Sequence, residues 1–128
     1  MPLPTSSKLI AFAATKDMAA AKAFYAGVLG LPLLSEDHFA LVFDAFGTML
    51  RVTAVETPSV APYTVLGWEV TDITAAVREL VKSGVVFEHF PGMGQDGLGI
   101  WTAPGGAARV AWLKDPDGNV LSVSQHAF

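Results

Sequence analysis

Asp17-Met18-Ala19-Ala20-Ala21-Lys22-Ala23-Phe24-Tyr25-Ala26-Gly27-Val28-Leu29-Gly30 is the stretch whose reading decides the fold. Asp17 stands where a helix N-cap belongs, since a short carboxylate reaches the unpaired N–H groups of a first turn. Met18, Ala21, Tyr25 and Val28 then recur at helical spacing, so one continuous helix of at most about four turns is expected. Gly30 takes the position just past its end, and Pro32 bars resumption. The same order returns downstream. Thr71-Asp72 reads as a second cap, Ile73, Ala76, Val77, Leu80 and Val81 as a second apolar stripe, and Gly84 as its end. The capping aspartates are 55 residues apart and the terminal glycines 54 apart, offsets that indicate an internal duplication.

Strand-like segments surround each helix. Lys8 to Ala14 precedes the first, and Phe39 to Asp44 and Thr48 to Val55 follow it, separated by Ala45-Phe46-Gly47. Glu56 to Pro62 has the prolines and small residues of a linker. Tyr63 to Val70 leads into the second helix, and Val85 to Phe90, Leu98 to Thr102, Ala107 to Lys114 and Val120 to Gln125 read as strands after it. The expected class is α+β, with two tandem β-α-β-β-β modules, about 8–57 and 63–126, in a single domain. A sheet covered by one helix keeps a second face open, and that face is the first place to look for a site.

Composition narrows the function. With 52% apolar and 16% charged residues in 128, the chain has the material for a core without staples. It has no cysteine, which excludes disulfides and thiolate metal sites. The formal charge is −4 and no Lys/Arg cluster occurs, so a phosphate-tracking nucleic-acid surface is not expected. No apolar run approaches the roughly 20 residues of a membrane span. Met1 to Ser7 does not read as a signal peptide, and a soluble cytoplasmic protein is expected.

Several local features bear on chemistry. Gly92, Gly94 and Gly97 match G-x-G-x-x-G, but the dinucleotide fingerprint needs a helix behind it, and here Leu98 to Thr102 and Pro104 follow. The segment reads as a mobile glycine loop or a lid. His38, His89 and His126 lack any ligand-spaced partner and read as solvated imidazoles. No Gly-x-Ser-x-Gly elbow supplies a nucleophile. Asp115-Pro116-Asp117-Gly118-Asn119 reads as a hairpin turn. Arg51 and Glu69 are charged residues inside strands, and alternation alone points each to solvent. Trp68, Trp101 and Trp112 lie on strands, where core packing is the plain reading and a ligand-cavity wall the sharper one.

Asp17 to Tyr25 followed by Val28-Leu29-Gly30-Leu31 resembles the first helix of the vicinal oxygen chelate superfamily, and Asp115 to Asn119 resembles its closing turn. That superfamily includes glyoxalase I, extradiol dioxygenases and the fosfomycin- and bleomycin-resistance proteins. The resemblance spans Lys8 to Gln125 and implies a curled mixed sheet around a cavity, with homodimers common. Metal enzymes of the group hold a divalent ion with His and Glu side chains from equivalent strand positions of both modules. Carried over by distance from the caps and the closing turn, three of those positions fall on Ile10, Val65 and Ser122, and the fourth, late in the third strand of module one, falls on Arg51. Ile10 and Val65 have no donor atom, Arg51 is cationic, and Ser122 alone cannot hold the ion.

The resemblance therefore implies a metal-free member without a cofactor. If Val65 faces the cavity, period-two alternation turns Gly67 and Glu69 inward as well, and an inward Arg51 calls for a partner such as Glu69. Ile10, Phe12, Met49, Ser122 and Ser124 are expected in the lining, with Trp101 and Trp112 beside them. The leading expectation is a small-molecule-binding protein that holds an aromatic or anionic ligand in a Trp-lined cavity with Arg51 and Glu69. The alternative is a glyoxalase- or dioxygenase-like lyase or isomerase acting on a small carbonyl compound. It would work without metal, with Glu69 as general base, or through unconventional ligands such as His38, His89 and Glu69. An accessory module whose dimer interface is its function is a further possibility.

Overall fold

The computed structural model describes residues 2–127. The chain divides into two compact units, the first ending at Ser59 and the second beginning at Val60. Module one runs β1 (Ile10–Thr15), α1 (Met18–Lys22), β2 (Leu33–Glu36), β3 (Ala40–Asp44) and β4 (Met49–Ala54). Its sheet has the order β1-β4-β3-β2, with β1 parallel to β4 and the other pairs antiparallel. Module two runs β5 (Thr64–Glu69), α2 (Ile73–Lys82), β6 (Trp101–Thr102), β7 (Ala108–Lys114) and β8 (Val120–His126). Its order is β5-β8-β7-β6, with β5 parallel to β8. The duplication read from the helices is thus repeated in topology.

Both caps form. Asp17 Oδ1 accepts from the Ala20 N–H at 3.0 Å, and Asp72 Oδ1 from the Ala75 N–H at 3.1 Å. Gln125 Oε1, reaching back from β8, accepts the Ile73 N–H at 3.0 Å and ties α2 to its sheet. The first helix corrects the expectation of a continuous α-helix. After Lys22 it widens into a π-helical segment, Ala23–Val28, in which the Leu29 N–H reaches back to the Phe24 carbonyl at 2.9 Å. Within this wider turn Tyr25 is fully buried, edge-on to Phe24 at 5.1 Å and tilted against Phe43 at 5.7 Å. Leu41, Phe43, Leu50 and Val52 complete that core. Truncating a buried aromatic ring of this kind costs about 3–5 kcal/mol.

Two expected strands do not form as drawn. Val85 to Phe90 is irregular: the Glu88 N–H donates to the Trp112 carbonyl of β7 at 2.8 Å, and Gln95 holds neighbouring backbone groups. Its Oε1 accepts the Phe90 N–H at 2.7 Å, and its Nε2 donates to the Glu88 and Gly99 carbonyls at 2.9 and 2.8 Å. The expected Leu98–Thr102 strand shrinks to Trp101–Thr102, since Asp96 Oδ1 accepts from the Leu98 and Ile100 N–H groups and Gly99 sits at φ +88°. The glycine segment is therefore braced by two side chains, in place of the loose loop or lid read from its composition. β2 was not anticipated; it is a short, mostly exposed edge strand with a bulge.

The closing turn forms as expected and is built on a buried carboxylate. Asp115 Oδ1 accepts from the Asp117 and Asn119 N–H groups, both at 2.9 Å, and Oδ2 accepts from the Asn119 amide at 2.8 Å. Gly118 at φ +91° closes it. Among the described residues no helix is long and apolar enough to cross a membrane.

Candidate functional site

Each sheet has one face under its helix and one open face. In module two the helix side collects Ala111, Leu113, Leu121 and Val123, all buried, with Arg109 donating to Thr74 Oγ1 on α2 at 3.5 Å. Trp68 pairs with Val123 and belongs to this side, so packing is its role. The alternate residues form the open face, in cross-strand rows set by the register. Gly67, Ser122 and Trp112 make one row; Glu69, Ser124, Val110 and Trp101 make the next. Val65 sits at the bulge between Thr64 and Leu66, exposed.

Three aromatic rings stand together here. Trp101 and Trp112 lie 6.1 Å apart at 43°, and Phe90 meets Trp112 edge-on at 5.7 Å. The Trp112 indole N–H donates to Thr64 Oγ1 at 3.1 Å, which leaves the ring face for contact. Beside the rings, Ser122 is only 8% exposed. It fits because its row neighbour is glycine: a Cβ on Gly67 would lie 2.6 Å from Ser122 Oγ. His126 corrects the expectation of a solvated imidazole. β8 continues through it, so it shares the face with Ser124 and its Nε2 shares a 2.9 Å hydrogen bond with Ser124 Oγ. His38 and His89 are exposed.

In module one the helix side holds Ala13, Leu41, Phe43, Leu50 and Val52. The other face carries Ile10 opposite Met49 and Phe12 opposite Arg51. Phe12 is 60% exposed and Arg51 half-buried. Arg51 acts on Asp37, whose carboxyl is held below its ordinary value first by the Phe39 and Ala40 N–H groups and then by the Arg51 and His38 charges.

The register also fixes which positions correspond between modules. Phe12 faces Arg51 in β1 and β4 as Gly67 faces Ser122 in β5 and β8. Arg51 and Ser122 take matching places opposite Phe12 and Gly67, and Ile10 and Val65 lie two residues before Phe12 and Gly67 on β1 and β5. A cation, a hydroxyl and two alkyl groups are not a donor set for a divalent ion, so these residues do not fit the metal that the fold family implies. Among the described residues, no three His, Asp or Glu side chains cluster to hold one elsewhere.

The sequence reading named Trp101, Trp112, Gly67, Glu69 and Ser122 but missed Phe90, Tyr63 and Lys114. Phe90 reaches the face on an irregular segment with no periodicity to expose it. Tyr63 and Lys114 border a hollow of about 380 Å³ next to Trp112, floored by Val120.

Comparison with known proteins agrees with this architecture. The family model described as Glyoxalase/Bleomycin resistance protein/Dioxygenase superfamily matches residues 9–123. A glyoxalase/bleomycin resistance protein from Catenulispora acidiphila is 23% identical with a TM-score of 0.70, over 95% of this chain and 100% of that one. Lactoylglutathione lyase from Agrobacterium tumefaciens is 20% identical with a TM-score of 0.68, over 95% of each chain. A fosfomycin resistance protein from Listeria monocytogenes is 11% identical with a TM-score of 0.76, over 98% of this chain and 97% of that one. Likeness at these identities establishes the fold and leaves the reaction open. No curated protein matches the chain. With a family model over all but its two ends, and the same capped helix and strand register in both modules, the chain belongs to the glyoxalase/bleomycin resistance protein/dioxygenase superfamily.

Proposed function

We propose that the chain is a metal-independent small-molecule-binding member of this superfamily. The observation that carries the reading is the open face of module two. Three aromatic rings meet there beside Ser122, a nearly covered hydroxyl given room by Gly67. Rings of this size contribute most of their binding energy by covering a flat ligand, and one or two polar groups set its orientation. On this face Glu69 is the charged group assigned to the ligand's polar end, with Val65 as apolar lining; on the open face of module one, Arg51 stands with Ile10, Phe12 and Met49 in the same way. The reading includes a cytoplasmic homodimer.

A second reading keeps chemistry without metal. Glu69 shares its row with Ser124, and Ser124 is hydrogen-bonded to His126. A carboxylate so placed suits a general base acting on the proton beside a small carbonyl group.

Metal content on untagged protein, followed by titration with zinc, nickel, manganese and iron, separates these readings from a metal enzyme. The expected result is no near-stoichiometric metal, a retained native fold, and quenching of tryptophan fluorescence by aromatic ligands. Tight stoichiometric metal binding would overturn the proposal. Turnover of a carbonyl substrate, abolished by Glu69→Gln, would replace it with the second reading.

A further inference from the structure

We infer that the hollow beside Trp112 takes a planar aromatic molecule bearing an anionic group, of the aryl carboxylate class, with Lys114 as its counter-charge. The inference rests on the small-molecule-binding reading and names the ligand class.

The hollow lies wholly within module two. Its base is the row in which Thr64 faces Val120 and Val120 faces Lys114. Its walls are Tyr63, Phe90 and Trp112, and its volume of about 380 Å³ suits one or two fused rings. Tyr63 is 68% and Phe90 38% exposed, so two large rings border this space with much of their surface in water. Trp112 is held in place from two sides, by its N–H bond to Thr64 and by the edge of Phe90. With that N–H committed, Trp112 offers its face, and recognition must come from stacking together with the remaining polar groups.

Lys114 is the one charged side chain among the described residues that line the hollow. Its partner is Glu88, at a long 3.6 Å, with Lys114 open to solvent and Glu88 half-buried. A screened pair of this length holds the ammonium weakly. Lys114 can therefore exchange Glu88 for a ligand carboxylate, whereas no acidic residue lines the hollow to favour a cation.

The test titrates the full chain with 2-naphthoate and with uncharged 2-naphthamide. It uses calorimetry for affinity and the Trp112 indole N–H resonance for location. Naphthoate is expected to bind about ten-fold tighter than the amide. Lys114→Gln should erase that preference, Lys114→Arg should keep it, and Glu88→Gln should tighten naphthoate by about two- to three-fold by removing the competitor. Lys114 is exposed, so these variants should fold, and retained amide binding verifies it. Equal affinity for acid and amide, with the Trp112 signal moving, overturns the inference and leaves the binding reading standing. The same holds if Arg51→Gln, and not Lys114→Gln, removes the preference. Failure of both compounds to bind or to move Trp112 overturns both.

Discussion

The indole N–H of Trp112 on β7 donates to the hydroxyl of Thr64 on β5, 3.1 Å away, although β8 lies between the two strands. One hydrogen bond thus fixes a tryptophan ring of the open face to the start of the module. Thr64→Val keeps the side-chain shape and removes the acceptor. Because the bond is exposed, the loss of stability should stay near about 1 kcal/mol. Trp112 should lose rotational restraint, read as lower fluorescence anisotropy in a variant where Trp68 and Trp101 are replaced by Phe.

Gln95 substitutes for a missing strand ladder through three hydrogen bonds from one amide. Gln95→Leu retains the bulk and leaves the Phe90 N–H and two carbonyls without their partner. A loss of about 2–3 kcal/mol is expected in chemical denaturation. Hydrogen exchange at the Phe90 amide should accelerate well before global unfolding. Unchanged exchange there would show that the segment is held by other means.

The contacts of Trp112 and Gln95 also mark where the sequence was readable. The capped helices were legible because a cap, an apolar stripe and a terminal glycine are local signals, and their repetition fixed the two-module plan. The alternation that puts Gly67 and Glu69 on one face of β5 needs no partner, whereas the bulge at Val65 has no local signal. The segment from Val85 to Ile100 was not legible. Its apolar residues look like a strand, and the side-chain hydrogen bonds of Gln95 and Asp96 to nearby backbone leave no mark on the hydrophobic pattern. Phe90 lies in that segment and lines the hollow, so neither had a signature. The π-helical turn that carries Tyr25 against Phe43 likewise has no signal in the local spacing.

Gly67 and Ser122 should be energetically coupled. Gly67→Ala places a Cβ 2.6 Å from Ser122 Oγ, so the hydroxyl must leave its rotamer. The expected cost is about 1 kcal/mol. In a Ser122→Ala background the obstruction is gone, and the double variant should be less destabilised than the two single changes added together. Urea denaturation of the four proteins measures the coupling.

Asp37 gives module one a pH dependence of known sign. Its carboxyl is held below the ordinary value by the Phe39 and Ala40 N–H groups, aided by Arg51 and His38. A folded-state value below the unfolded one means a contribution fully present above the ordinary carboxylate range and lost as pH falls through the lowered value. Asp37→Asn should therefore be less stable than the parent by a constant margin above about pH 5, and the gap should close in stronger acid. Urea midpoints of both proteins across that range measure it.

The matched register of the modules has an evolutionary consequence. Phe12 and Arg51 in one copy occupy the stations of Gly67 and Ser122 in the other. A centre that draws like donors from both halves ties the two copies of a duplicated gene together, because a change in one must be answered in its twin. This chain has bulk and charge at one pair of stations, a glycine and a hydroxyl at the other. That tie is cut, and each half is free to change without an answering change in its twin.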